Sequence, residues 1–211
     1  LNSVNAAAIT MVVSSFLLGT FFASLYLRKR EPTFRVWSAG WFLIAVYAFL
    51  HFVGRNINFT HAPAFEEWFL ALAALSFYWA ARLHSRRPVK ASVLFAAAAG
   101  AAAWAAACSW GRFPISLSAG STFVFFLIAQ TFWSKGGKEE ARAESWLAIT
   151  FLVWGVLEAA TAASGPAANT HSQYLFLASS VPMLFAGAVM VMAVYEDDRR
   201  RVERNMLALA N

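Results

Sequence analysis

The stretch LYLRKREPTFRVWSAGWFLIAVYAFLHFVGR, residues 25–55, decides the fold. It sets a compact basic turn, Arg28-Lys29-Arg30 with Arg35, between two runs that are almost wholly apolar. A helix needs about 20 apolar residues to cross a bilayer. A first run that ends in RKR, with no small-residue cleavage site, reads as a stop-transfer pattern and not as a signal peptide.

Working outward from this turn, the same alternation repeats along the chain. It predicts spans at roughly 6–27, 36–54, 64–83, 91–110, 116–133, 145–164 and 172–195. The connections RNINFTHAP (55–63), HSRRPVK (84–90), GRFPI (111–115), SKGGKEEARAE (134–144) and GPAANTH (165–171) are short and rich in Gly, Pro, Asn or charge, as turns between helices are. Of the 211 residues, 60% are hydrophobic and only 13% charged, about half the charged share of a soluble domain. The sequence therefore predicts an all-α, polytopic membrane protein. Residues 1–195 form a seven-helix transmembrane domain, and residues 196–211 continue the last helix into the cytoplasm.

Orientation follows from the cations. Arg28, Lys29, Arg30, Arg35, Arg82, Arg86, Arg87, Lys90, Lys135, Lys138, Arg142, Arg199, Arg200, Arg201 and Arg204 all fall at one end of the expected bundle. Arg55 and Arg112 alone fall at the other. Cytoplasmic loops carry the excess of Lys and Arg, so the N-terminus is expected outside and the C-terminus inside. The same asymmetry accounts for the net charge of +6 without nucleic acid. Trp37, Trp133 and Trp146 are expected near the inner boundary, and Trp68 and Trp110 near the outer one. The alanine-rich fourth span, AAAAGAAAWAAA at 96–107, reads as a central helix packed closely on its neighbours. Pro182 is expected to kink the seventh.

Ionisable residues inside lipid are costly and mark function. Glu158 in the sixth span shares a helical face with Trp154 and Thr161, and Tyr47, His51 and Arg55 form a stripe of the same spacing on the second. Glu158 and His51 are expected at similar depth. Glu66 and Glu67 open the third span, and Ser116, Ser118, Ser121 and Thr122 the fifth, at the same outer end. Two readings stand side by side. Glu158, His51, Arg55, Tyr47, Trp154 and Thr161 line a ligand pocket, or Glu158 pairs with His51 or Arg55 only to fix helix packing. The inner half, by contrast, offers little beyond Tyr78 and Gln130.

Several functions are disfavoured. All four lysines lie in connections, so no span offers an amine for a retinal Schiff base. His51, His61 and His171 match no compact ligand spacing, and the single Cys108 excludes a disulfide framework or thiolate cluster, so no metal or other cofactor is expected. Neither Gly-x-Ser-x-Gly nor His-Glu-x-x-His nor a phosphate loop occurs, leaving no catalytic constellation. The absence of a three-span repeat weighs against a transporter built from duplicated halves. The sequon at Asn58 is short enough to arise by chance.

In the tail, Val202, Met206 and Leu209 recur at i, i+4, i+7 and make an apolar seam on a helix leaving the membrane. Residues 25–55, with a basic turn leading into the Trp37-x3-Trp41 span, and EWFLALAALSFYWAARLHSRRP (67–88) resemble the N-terminal membrane module of bacterial signalling receptors. The resemblance implies a seven-helix sensor in the inner membrane, placed before a histidine kinase, diguanylate cyclase, PAS or GAF output domain beyond Asn211. It implies no binding residues. The expected partners are the lipid bilayer, a hydrophobic small-molecule ligand, and a second copy of the chain or other membrane subunits. The alternative is a non-catalytic accessory subunit of a larger membrane complex.

Overall fold

The computed structural model describes residues 3–57, 62–109, 118–136, 142–164 and 169–210. They form seven helices: α1 Ser3–Lys29, α2 Pro32–Ile57, α3 Ala62–His84, α4 Ala91–Ser109, α5 Ser118–Gly136, α6 Arg142–Ser164 and α7 Asn169–Ala210. The basic turn forms as its residues dictate. Arg30 takes a left-handed φ of 56° and donates its N–H to Tyr26 O at 2.7 Å, ending α1. Pro32, whose fixed φ suits a first helical turn, opens α2. The α3 terminus repeats the device: Arg86 has φ 55°, and the Arg87 N–H reaches back to Arg82 O at 2.9 Å.

Four helical stretches, Asn5–Lys29, Pro32–Gly54, Ala143–Ala163 and Leu177–Ala208, are long and apolar enough to cross a bilayer. Ala91–Ala107 and Ala119–Ser134 are apolar but shorter. Phe16, Leu17, Phe49, Phe95, Val156 and Val181 point outward into the surroundings, while exposed Thr10 and Thr20 satisfy their hydroxyls on the carbonyls four residues back, both at 2.9 Å. An apolar outside with internally satisfied polar groups is what lipid demands. The chain is a multi-pass helical membrane bundle.

Neighbour relations among the described residues close a ring. α1 packs on α2, α2 on α3, α3 on α5, α5 on α6, α6 on α7, and α7 returns to α1. α4 packs on α3 alone and stands outside the ring. The expectation of a central fourth helix is therefore corrected. Small side chains allow close approach but offer little contact area of their own. Here Ala105, with Ala101 and Trp104 beside it, meets Ala71 and Trp68 of α3, and a side chain added at Gly100 would touch nothing.

Large aromatics fill the ring. Trp41 meets Phe77 edge-on at 5.2 Å, and Phe125 stacks on Trp154 at 4.4 Å. Two close approaches require glycine. A Cβ on Gly40 would lie 2.8 Å from the Phe77 ring, and one on Gly187 would overlap Leu18 and sit 3.3 Å from Trp41. Trp37 is not a boundary anchor, as expected from its position, but is 1% exposed among Phe22, Phe34 and His84. It lies near the basic end, yet the ring encloses it. Trp133 and Trp146 do face outward, and Trp110 lies outside the described residues.

α7 runs 42 residues and continues through Pro182 without interruption. At 1.5 Å per residue that is a rod of about 63 Å, roughly twice the hydrocarbon thickness of about 30 Å. Where it leaves the bundle, Lys29 of α1 forms an ion pair with Asp198.

Candidate functional site

Glu158 lies inside the ring at the end that carries the α2–α3 and α6–α7 connections. It is 4% exposed. Its Oε1 accepts a hydrogen bond from Trp154 Nε1, one turn back on α6, at 3.2 Å. The Ser179 hydroxyl of α7, itself buried, lies near enough to act on the same carboxylate. Across the ring, Glu67 of α3 and Tyr47 of α2 lie within electrostatic range of the Glu158 carboxylate. Glu66 and Glu67 also act on Tyr47. His51 Nδ1 lies 2.9 Å from Glu66 Oε2, both side chains being largely buried.

Four of the six residues singled out from the sequence thus meet in one layer: Tyr47, His51, Trp154 and Glu158. Their pairing differs from the expectation. Among the described side chains, Trp154 donates to Glu158 and His51 pairs with Glu66, while the alternative pairing of Glu158 with Arg55 falls on a side chain outside the described residues. The physical reason is topological. α6 packs on α5 and α7 and not on α2, so among the described side chains of the α2 stripe it is Tyr47 that acts on Glu158 across the ring. Thr161 turns its hydroxyl onto Leu157 O of its own helix at 3.0 Å. The side chains of Arg55, His171 and Leu209 are not among those described.

The floor of this layer is aromatic. Trp154 stacks on Phe125 and lies 6.0 Å from Phe151 and 6.4 Å from Phe77. Ser121 and Thr122 complete the layer from α5. Both are buried, and neither hydroxyl has a hydrogen-bond partner among the described residues. Ser121 stands four residues before Phe125, and Glu158 four residues after Trp154. Because α5 and α6 run antiparallel, both lie one turn, about 6 Å, beyond the Phe125–Trp154 stack on its outer side. Ser179 could not have been found from the sequence, since it is one serine among several in an apolar span. Ser121 and Thr122 carried a signal: polar residues opening an apolar helix.

The opposite end holds a second polar pair that the sequence reading left in a loop. His84 Nε2 lies 3.5 Å from Glu144 Oε1, with the imidazole between Trp37 and Phe132 at ring-centroid distances of 6.0 and 6.1 Å. α3 extends to His84 and α6 begins before Glu144, so two residues of expected connections become interior.

Exposed Val202 and Met206 continue α7 beyond the Lys29–Asp198 contact, together with exposed Leu207. Arg199 and Glu203 pair along the helix at 2.8 Å. Among the described residues no group of three or more His, Cys, Asp or Glu is placed to hold a metal ion. No family model, no curated protein and no solved structure matches this chain.

Proposed function

We propose that this chain is a seven-span sensor module of a bacterial inner membrane, N-terminus outside and C-terminus in the cytoplasm. It couples a ligand at the Glu158 layer to a cytoplasmic output through α7. The observation that carries this reading is the reach of α7. Ser179, beside Glu158, and Val202, exposed beyond the bundle, stand on one unbroken helix of 42 residues. They are separated by 23 residues, about 35 Å of helix. A stiff rod transmits a shift or rotation over that distance, and a flexible linker would not.

The seam of Val202, Met206 and Leu209 then meets the same seam of a second copy in a parallel pair, as two-fold dimers are the commonest assembly. One heptad supplies too little area to hold a dimer alone, so the bundle or an output domain beyond Asn211 contributes. The module itself performs no catalytic step. A hydrophobic body suits the aromatic floor, and Tyr47, His51 and Glu158 supply the polar contacts, with Arg55 as a further candidate.

The test is disulfide cross-linking of single cysteines along 200–207 in membranes, with Cys108 replaced, in the parent chain and in Glu158→Gln. The reading expects maxima at 202 and 206 whose strength or phase changes in Glu158→Gln. Uniform cross-linking, or a pattern indifferent to Glu158, overturns it. One observation favours the accessory-subunit alternative: α4 leaves most of its small-residue surface uncovered. Stoichiometric co-purification with other membrane proteins would decide for it.

A further inference from the structure

The Glu158 layer has a charge character opposite to that of the molecule. The chain carries +6, yet at this end Glu66, Glu67 and Glu158 face only Arg55 and Arg112 in the sequence. The other fifteen cations lie at the opposite end. Within the layer, the described groups that act on Glu158 are the neutral donors Trp154 Nε1 and the Ser179 hydroxyl and, as the charged group among the described side chains, another carboxylate, Glu67. A buried carboxylate is satisfied by a positive partner and donors. Among the described side chains, neutral donors supply the second requirement and leave the first open.

The unpartnered hydroxyls of Ser121 and Thr122 are an independent sign of an occupant. Both side chains are more than nine-tenths buried, and such groups are rarely left without a bond. The pairing of Phe125 with Trp154 places Ser121 at the level of Glu158, on the face of α5 that meets α6. A carboxylate, a phenol and two hydroxyl oxygens are acceptors for a group with several N–H donors. The carboxylates do not converge closely enough for a compact metal ion among the described residues. Next to them lie the rings of Trp154 and Phe125, stacked on each other at 4.4 Å, an apolar surrounding that suits an apolar body.

From this arrangement we infer that the site takes a protonated amine with an apolar body, the ammonium held by Glu158, Ser121 and Tyr47 and the body resting on the Trp154–Phe125 stack. This inference rests on the reading of the Glu158 layer as a ligand site and adds the class of the ligand. The ammonium gives one N–H to Glu158 and another to the Ser121 oxygen. Trp154 and Ser179 keep the carboxylate oriented from the other side. Glu66 and Glu67, nearer the end of the bundle, draw cations towards it.

The experiment is calorimetric titration of the full chain in lipid nanodiscs with 2-phenylethylamine and n-hexylamine, each beside its neutral alcohol, 2-phenylethanol and n-hexanol. Empty nanodiscs correct for partition into lipid. At least one amine is expected to bind saturably, one per chain, with its alcohol binding roughly tenfold more weakly or worse, as loss of a charge-assisted bond requires. Glu158→Gln, which keeps an acceptor for Trp154, should weaken amine binding by a similar factor. Glu203→Gln, on the exposed tail, should leave it unchanged. No saturable amine binding up to about 10 mM, a range that covers millimolar affinities, overturns the inference. So does an alcohol that binds as well as its amine, or undiminished binding in Glu158→Gln. The amine–alcohol comparison needs no variant, so it holds even if a substitution fails to fold. The titration reads occupancy alone, whereas tail cross-linking reads coupling, so either can fail without the other.

Discussion

Replacing Trp154 by Phe tests whether the bond to Glu158 holds the layer together. The indole is fully buried, stacked on Phe125 at 4.4 Å, and donates to Glu158 at 3.2 Å. Phe keeps most of the stack and removes the N–H. Two losses follow. The smaller ring leaves a partial cavity, within the range of about 1–3 kcal/mol for trimming a large core side chain without removing it. The hydrogen bond is at the long end of the N–H···O range, so its share should be near the average of about 0.6 kcal/mol for bonds between side chains in membranes, and below the upper value of about 1.7. A double-mutant cycle separates the two. Trp154→Phe, Glu158→Leu and the double variant are unfolded reversibly in mixed micelles with SDS, followed by far-UV circular dichroism. A coupling of roughly 0.6–1.5 kcal/mol is expected. Additive effects within about 0.3 kcal/mol, the margin for independent sites, would show that the bond contributes nothing and that packing alone places Glu158.

Other outcomes follow from the same structure. Gly40→Ala should destabilise the bundle by about 1–3 kcal/mol, because Phe77 is pinned by Trp41 and Phe151 and cannot yield. Gly100→Ala, facing open space, should be neutral or stabilising by up to about 1 kcal/mol in the same SDS titration. Lys29→Glu should loosen α7 from α1. Asp198 is 45% exposed, so the loss should be below about 1 kcal/mol and fade in high salt, and Lys29→Glu with Asp198→Lys should restore it. A cysteine at Asn56 should label from outside intact cells, while one at Arg86 should not. Outside labelling at Arg86 would reverse the proposed orientation.

Much of the architecture was legible because lipid enforces it. The basic turns at 28–35 and 84–90 mark one and the same end of the bundle, and seven apolar stretches became seven helices. Neighbour relations were not legible. Nothing in AAAAGAAAWAAA (96–107) distinguishes a helix packed on all sides from one that lines the outside, since alanine suits both. The same limit applied to the site. Hydropathy located Glu158, and helical spacing joined it to Trp154. Its neighbour on α7 depends on which helix closes the ring, so Ser179 was invisible, and the contact of His51 with Glu66 depends on how α2 meets α3. The His84–Glu144 pair was missed because charge and proline nearby made a loop the simpler reading of residues that end and begin helices.

The central claim is that α7 is a rigid link between the Glu158 layer and the cytoplasmic tail. Spin labels at Leu17→Cys on α1 and Met206→Cys on α7, both exposed positions, measure it directly by double electron–electron resonance in nanodiscs, with Cys108 replaced. Lys29 and Asp198 stand side by side. Leu17 lies twelve residues from the first and Met206 eight beyond the second, so the labels should be about 30 Å apart at 1.5 Å per residue. The account expects one narrow distance near that value in the parent chain and a displaced but still narrow one in Glu158→Gln. A broad distribution, or a narrow one that Glu158→Gln leaves unmoved, would contradict it.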